Sequence, residues 1–485
     1  MDAGTPNSAP PLSAATRLAY GFGAVAYGVK DNGFAYFLLI FYSQVAGLDA
    51  RLVGIAVTLA LVVDALSDPV VGTWSDNLRS RLGRRHPFMY AAAVPTALAF
   101  WLLWQPPAGL SQEALFGWLL ACAVAVRLAV TFYEIPSTAL APELVDGYDA
   151  RSGLLAFRFY FGWTGGNMMT VLTFGLIFPA FVTATIANGQ FNREAYALYG
   201  SVGAVLILVS ILVSAAGTHS RIPWLKPPPP RRQLTLGRLF TETRETLANR
   251  SFAALFVAAI FGAIATGLAS SLAFYLYTYF WRFSSEQIAL LTFGVFLSAI
   301  IGFVVGPLAS RRLGRKKGAL LLGFVAFLGA PLPIVLKLLG LMPGGAATFW
   351  IVFTVTVIDV GLLCFQILTT AMMSDLVEEA ELRTGRRSEG IFFAAASFIR
   401  KLTTGIGVFT ASLLLGAAGL ATGASPAEVP QGVSDRLAML YVPTVLSLWM
   451  AMIAVIGFYR ISRADHEANL AALAIRREKG ARTPA

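Results

Sequence analysis

The stretch Leu59-Ala-Leu-Val-Val-Asp64-Ala-Leu-Ser67-Asp68-Pro-Val-Val-Gly-Thr-Trp74 is too long an apolar run for a strand, yet it contains two carboxylates. Because Asp64 and Asp68 are four residues apart, a helix places them one turn apart on one face, with Ser67 beside them. Each acid costs about 2.5–3.5 kcal/mol at the centre of a membrane-spanning helix. The pair therefore needs a bound cation, a proton or a basic partner, and oxygen ligands at this spacing suit a small hard cation.

The composition indicates a polytopic α-helical membrane protein. Of the 485 residues, 56% are hydrophobic and 13% are charged, whereas soluble domains carry about 25% charged residues. The net charge of +11 comes from basic clusters between apolar runs, so it indicates membrane topology and not nucleic-acid binding. Cys122 and Cys364 lie inside apolar runs, which favours buried thiols over a disulfide.

Apolar runs of bilayer-spanning length predict twelve spans. They are residues 17–46, 51–76, 87–108, 113–142, 152–186, 195–216, 251–281, 285–310, 317–340, 346–374, 388–419 and 437–461. The predicted divisions are an N-terminal six-helix half (1–216), a cytoplasmic linker with a stiff proline run (217–250), a C-terminal six-helix half (251–461) and a cytoplasmic tail (462–485).

The two halves repeat in sequence. Arg81-Leu-Gly83-Arg-Arg85 matches residues 312–316 at an offset of 231 (314 − 83), and Glu143-Leu-Val matches Asp375-Leu-Val at an offset of 232 (375 − 143). Two separate loops thus agree within one residue, which predicts parallel six-helix repeats. In that arrangement, substrate binds near the bilayer midplane between the halves.

Further polar and charged side chains lie inside the predicted spans. They are Lys30 and Asp31 in span one, Thr131 and Glu134 in span four, Arg158 in span five, and Lys401 in span eleven. Ionisable groups within a membrane are candidates for a functional site. A guanidinium there needs an acid, and we expect Glu134 or Asp31 to supply it for Arg158. The alternative is a set of structural charge pairs between helices, in which Arg127 or Arg158 is the partner of Glu134.

A cytoplasmic gate is predicted from loops that carry both signs of charge. In one conformation, acids of one half would pair with arginines of the other, although a plain solvated loop is the alternative. The gate candidates are Arg84, Arg85, Glu143, Arg315, Asp375, Glu379 and Arg386. The sequence contains no phosphate-binding glycine loop, nucleophile motif or metal-ligand cluster, so we do not expect an enzyme.

An ordered set of motifs resembles a known family. Lys30-Asp31, Asp64-Ala-Leu-Ser-Asp68-Pro, Gly83-Arg-Arg-His-Pro-Phe88, Glu134-Ile-Pro136 and Thr384-Gly-Arg-Arg-Ser-Glu-Gly390 with Lys401 occur in that order. This set is similar to the melibiose-permease-like glycoside–pentoside–hexuronide:cation symporters of the major facilitator superfamily. The resemblance implies an all-α fold of twelve transmembrane helices and alternating-access transport of a sugar or glycoside. It implies no cofactor, only a coupling Na⁺ or H⁺.

The resemblance also assigns roles to individual positions. The family's cation site maps to Asp64, Ser67, Asp68 and Thr131, and its sugar-contacting groups map to Lys30, Asp31, Glu134, Arg158 and Lys401. The family usually has asparagine at Ser67, so a proton becomes more plausible here. Glu134 replaces an aspartate, and Thr138 stands where melibiose permease has a tryptophan that stacks on galactose.

Two alternatives to sugar symport stay open. Animal lysolipid transporters of the same superfamily branch share the Asp-x-x-x-Asp-Pro motif and the span-eleven lysine, so the substrate can be a lysolipid or another amphiphile. A non-transporting membrane sensor or scaffold that uses the proline-rich linker is the other. In each case we expect a monomer in the plasma (inner) membrane that binds no nucleic acid.

The distribution of basic residues predicts the membrane orientation. Because arginine and lysine cluster in residues 79–85, 217–250 and 311–317, both termini and the linker should be cytoplasmic. We expect Ser111→Cys, in a background without the two native cysteines, to react with a membrane-impermeant maleimide in intact cells. Ser80→Cys should react only after permeabilisation, and the reverse pattern would contradict this orientation.

Overall fold

The computed structural model describes residues 10–145, 148–225, 250–370, 372, 389–459 and 472; for 148, 149, 250–252 and 389–398 it describes the backbone alone. Helices dominate these residues. They are α1 (Ala14–Phe22), α2 (Val25–Asn32), α3 (Ala50–Asn77), α4 (His86–Leu103), α5 (Gln112–Leu144), α6 (Tyr148–Leu172), α7 (Arg193–His219), α8 (Arg250–Tyr275), α9 (Ser285–Gly329), α10 (Leu332–Leu338), α11 (Ala346–Leu362), α12 (Glu389–Ala418) and α13 (Gln431–Ile456).

Short polar residues fix where several helices begin. The Asp49 carboxylate accepts the Arg51 N–H before α3, and the Asn192 side chain accepts the Glu194 N–H before α7. Ser284 and Gln287 form a capping box at the start of α9. Each cap satisfies backbone donors that the helix itself leaves unpaired. The helices therefore start at the ends of the apolar runs, where these residues occur.

The helices follow the predicted spans, and the all-helical fold is confirmed. Nine helices in the described residues are long and apolar enough to cross a membrane, and the 54-residue stretch Ser285–Leu338 has the length of two spans. Span one is α1 and α2 continued by π-helical turns to Val45, and span five is α6 continued to Ala180. Together these segments are consistent with twelve spans.

The chain forms two compact units, Met1–Arg232 with Thr422–Ser425 and Gln233–Ala421 with Pro426–Ala485. Three helix pairs of the first unit have counterparts in the second. The pair α2–α6 corresponds to α8–α12, α3–α5 corresponds to α9–α11, and α4–α7 corresponds to α9–α13. The two units thus share one helix-packing pattern, as expected of parallel repeats.

The repeated Arg-Leu-Gly-Arg loops turn at their glycines. Gly83 has a φ of 72° and Gly314 a φ of 76°, a backbone conformation that strongly favours glycine. The sequence predicts a loop between spans eight and nine, yet α9 is helical throughout except at Gly314. A single residue in the left-handed region is therefore enough to separate the two spans.

Glycines allow the closest helix contacts in both units. A Cβ atom on Gly28 of α2 would lie 1.9 Å from the carbonyl oxygen of Gly162 on α6. One on Gly407 of α12 would lie 2.2 Å from the carbonyl oxygen of Ile264 on α8. Because backbone atoms cannot rotate aside as a side chain can, small residues are needed here.

These contacts predict opposite effects for glycine-to-alanine changes. Gly28→Ala and Gly407→Ala should each destabilise the purified protein by about 1–3 kcal/mol, since the backbones must separate. In Gly117→Ala the new Cβ meets no atom within 4 Å, and the change should be neutral or stabilising by up to about 1 kcal/mol. Thermal unfolding in detergent measures the difference; equal midpoints for all three variants would contradict the close packing.

Candidate cation and substrate site

Two carboxylates and a hydroxyl meet where α3 packs against α5. Asp64 is buried, and Asp68 lies one turn farther along α3 and is half-buried. Thr131 Oγ1 on α5 is 3.1 Å from Asp64 Oδ1 and 3.3 Å from Asp68 Oδ1, so its hydroxyl can donate to either acid. Ser67 donates its hydroxyl to the carbonyl oxygen of Asp64 at 3.0 Å. The structure thus brings together the four residues of the predicted cation site.

Arg127, which the sequence analysis did not place at this site, is the basic partner of Asp64. Its Nη1 donates to Asp64 Oδ2 at 2.9 Å. The side chain is 7% exposed, and its guanidinium lies 4.5 Å over the ring of Phe34. A signal was present in the sequence: Arg127 and Thr131 have the same four-residue spacing on α5 as Asp64 and Asp68 have on α3.

Lys30 on α2 connects two acids from different helices. Its Nζ is 2.8 Å from Asp31 Oδ1 and 3.8 Å from Glu134 Oε2. The Lys30 side chain is 3% exposed, whereas those of Asp31 and Glu134 are 56% and 30% exposed. The Lys30 ammonium group is therefore enclosed, while the carboxylates of Asp31 and Glu134 remain accessible. Their oxygens can accept hydrogen bonds from a hydroxylated ligand.

The carboxylate pair and the Lys30 group form one electrostatic network. Glu134 follows Thr131 by three residues on α5, so the two side chains share a face of that helix. Lys30 is also close enough to Asp64 and Arg127 to interact with both electrostatically. A change of charge at one group therefore alters the electrostatic energy of the other.

Arg158 on α6 is held by hydroxyls and aromatic rings. Its Nη1 donates to Ser137 Oγ and its Nη2 to Thr138 Oγ1, each at 2.9 Å. The guanidinium carbon lies 5.2 Å from the ring centre of Tyr20 and 5.5 Å from that of Tyr27. Cation–π contacts of this kind stabilise a buried guanidinium without a carboxylate.

The predicted ion pair between Arg158 and an acid is wrong for the part of the chain that the structure describes. Glu134 and Asp31, the two expected partners, are bound by Lys30 instead. Thr138 supplies one of the hydroxyls that hold Arg158. Thr138, which stands where melibiose permease has its galactose-stacking tryptophan, therefore helps to position the Arg158 guanidinium.

In the second unit, Lys401 lies half-buried on α12. Asp359 on α11 is an acid that the sequence analysis missed, although it is a lone charge within an apolar run. Its Oδ1 is buried and has no hydrogen-bond partner among the described residues. At an offset of 232 (359 − 127), it occupies the repeat position of Arg127.

Three gate candidates meet in the first unit. Arg84 Nη2 and Arg85 Nε lie 2.8 Å and 3.1 Å from Glu143 Oε1, and Arg85 Nη2 is 2.5 Å from Asp76 Oδ1. Glu143 thus pairs with arginines of its own half. These ion pairs join the start of α4 to the end of α5 next to the Gly83 turn.

The other gate candidates belong to the second unit. Arg315 is half-buried beside Gly314. Asp375, Glu379 and Arg386 lie outside the described residues, so pairing between the halves stays a prediction. Across the described ranges, no three His, Cys, Asp or Glu side chains are grouped to hold a metal ion. The oxygens of Asp64, Asp68 and Thr131 are the candidate ligands for a coupling cation.

The chain matches the model of a family described as MFS/sugar transport protein over residues 19–463. It belongs to this family. The protein is accordingly a multi-pass transporter of the major facilitator superfamily and not an enzyme. The family assigned from the motifs of Asp64, Glu134 and Lys401 is confirmed.

Its relatives are transporters of more than one kind of substrate. The chain is 25% identical to the isoprimeverose transporter of Lactiplantibacillus pentosus, over 93% of this chain and 89% of the relative. It is 25% identical to the inner membrane symporter YicJ of Escherichia coli K12, over 91% of each. It is 24% identical to the sphingosine-1-phosphate transporter MFSD2B of Mus musculus, over 92% of this chain and 89% of the relative.

A solved structure shares the fold. The D-xylose-proton symporter superposes with a TM-score of 0.59 at 14% sequence identity, over 90% of this chain and 96% of that one. At this identity the likeness concerns the arrangement of helices alone.

Asp64 and Asp359 should respond differently to truncation. Asp64→Ala leaves the Arg127 guanidinium buried without its carboxylate, which should cost about 3–5 kcal/mol. Asp359→Ala removes the same atoms from an acid whose Oδ1 has no hydrogen-bond partner in the described residues, so its effect should stay within about 1 kcal/mol.

Thermal unfolding in detergent measures both variants. The double variant Asp64→Ala/Arg127→Ala should regain much of the lost stability, because no unpaired charge remains. Equal losses for Asp64→Ala and Asp359→Ala, with no recovery in the double variant, would contradict the ion pair.

Proposed function

We propose that the protein is a cation-coupled symporter that carries a sugar or glycoside across the plasma (inner) membrane by alternating access, with both termini cytoplasmic. One observation carries the proposal: α5 contributes Thr131 to the Asp64–Asp68 pair and Glu134, three residues later, to the Lys30 group. The sugar transport family and the symporters among the relatives support it.

In this mechanism the cation binds first at the carboxylate pair. Its charge adds to that of Arg127 in offsetting Asp64 and Asp68, and it draws α3 and α5 together. Because Glu134 lies on α5, the same movement orients it toward the substrate. The hydroxyls of a sugar would donate to the accessible carboxylates of Glu134 and Asp31, with Lys401 and Arg158 as further substrate-binding candidates.

Coupling follows from the helix that the two sites share. A sugar carries no net charge, so the charge of the carrier does not distinguish the cation-only form from the doubly loaded one. Cation binding places Glu134 for the sugar, and the sugar's contact with Glu134 in turn stabilises the cation-bound position of α5. Since the two sites are linked thermodynamically, each ligand should tighten binding of the other by the same factor.

An amphipathic substrate is the second candidate. It is favoured by the similarity to the sphingosine-1-phosphate transporter MFSD2B and by Thr138, whose hydroxyl is bound by Arg158 where a galactose-stacking ring would otherwise lie. A long alkyl chain needs no aromatic platform, and a headgroup phosphate would pair with a guanidinium. Family membership favours both candidates over the sensor or scaffold.

Transport by purified protein in proteoliposomes tests the proposal. Radiolabelled isoprimeverose, a phenyl glucuronide and sphingosine-1-phosphate serve as probes, with an imposed inward gradient of protons or Na⁺. We expect gradient-driven accumulation of one sugar probe, accompanied by entry of the cation. Asp68→Asn should abolish accumulation while sparing substrate exchange, because the variant binds sugar but not the cation.

The control is Glu113→Gln, which removes an exposed acid from the start of the same helix and should transport normally. Accumulation of sphingosine-1-phosphate alone would favour the amphiphile. Undiminished uphill uptake of sugar by Asp68→Asn would contradict the coupling role of the carboxylate pair.

A further inference from the structure

Arg127 places a fixed positive charge at the position where a coupling cation would bind Asp64. We propose that Arg127 is a tethered counter-ion that excludes Na⁺ and Li⁺ from the carboxylate pair. This inference rests on the proposed function in taking the carboxylate pair as the coupling site. It goes further by making Arg127 the residue that determines cation specificity.

The first argument is competition for ligand atoms. A Na⁺ ion needs several oxygen ligands around it. Here Asp64 Oδ2 accepts a hydrogen bond from Arg127 Nη1 at 2.9 Å. A metal ion bound by the same carboxylate would sit a few ångströms from the guanidinium, and like charges at that distance repel strongly in a protein interior.

The second argument is that Arg127 cannot move away without cost. The side chain is almost fully buried and stacks over the buried ring of Phe34, which belongs to the π-helical segment Gly33–Phe37 of span one. To release Asp64, the guanidinium would have to give up its carboxylate inside the membrane-spanning bundle, which costs far more than breaking a surface ion pair.

Cation binding in the absence of any substrate tests this inference. Purified protein is incubated with ²²Na⁺, with choline as the replacement cation. Wild type and Arg127→Lys, which keeps the positive charge, should bind no Na⁺ above background. Arg127→Gln should bind it saturably, with affinity higher by about tenfold or more. Asp68→Asn in the Arg127→Gln background should lose that binding.

Saturable ²²Na⁺ binding to wild type that Asp68→Asn removes would overturn the inference, as would a folded Arg127→Gln that gains no Na⁺ binding. If Arg127→Gln does not fold, the wild-type measurement still decides the exclusion of Na⁺.

The two proposals fail in distinguishable ways. Na⁺ binding by wild type would refute the role of Arg127 while leaving cation-coupled symport intact. Sugar uptake into proteoliposomes with no movement of protons or Na⁺ would refute the proposed function, whatever the binding experiment shows.

Discussion

The first unit depends on one constraint: a charge inside the hydrocarbon region of a membrane must be compensated within a few ångströms. Asp64 meets it through Arg127, and Lys30 meets it through Asp31 and Glu134. Arg158 meets it through hydroxyls and aromatic faces. Each solution joins different helices, so the polar contacts and the close glycine packing of α2 on α6 hold the same bundle together. A change in any one charge therefore disturbs the packing of more than one helix.

Features of the site that depend on one helix were predictable from the sequence. The bilayer fixes the length of a span, and the helical repeat fixes the face that Asp64 and Asp68 share. Contacts between helices were harder, because they depend on how each helix is rotated toward its neighbours. The sequence offered Arg127 and Arg158 as alternative partners of Glu134, yet Arg127 binds Asp64 and Arg158 binds no acid in the described residues. Consecutive positions on a helix point about 100° apart, but the long Lys30 stem still reaches the adjacent Asp31.

The two units repeat the fold without repeating the carboxylate pair. Gly83 and Gly314 adopt the same left-handed conformation, and corresponding spans pack in each unit. At an offset of 231 or 232, however, the counterpart of Asp64 is Val295 or Phe296, which are apolar. Glycine turns and close helix contacts serve the architecture and are needed in both units. A carboxylate pair costs energy wherever it is buried and is not needed for helix packing. The second unit therefore keeps its architecture with apolar residues at the positions that match Asp64.

The presence of Arg127 changes what the Asp-x-x-x-Asp motif can be taken to mean. Two acids one turn apart specify a site for positive charge, but a fixed cation beside them limits which ion can enter it. With Arg127 bound to Asp64, a metal ion at that carboxylate would lie within a few ångströms of a guanidinium. In a homologue with a neutral residue four positions before the threonine, the same acids would face the site uncompensated and would favour a metal ion. The proposed role of Arg127 would place the determinant of cation specificity on α5, outside the motif that defines the site.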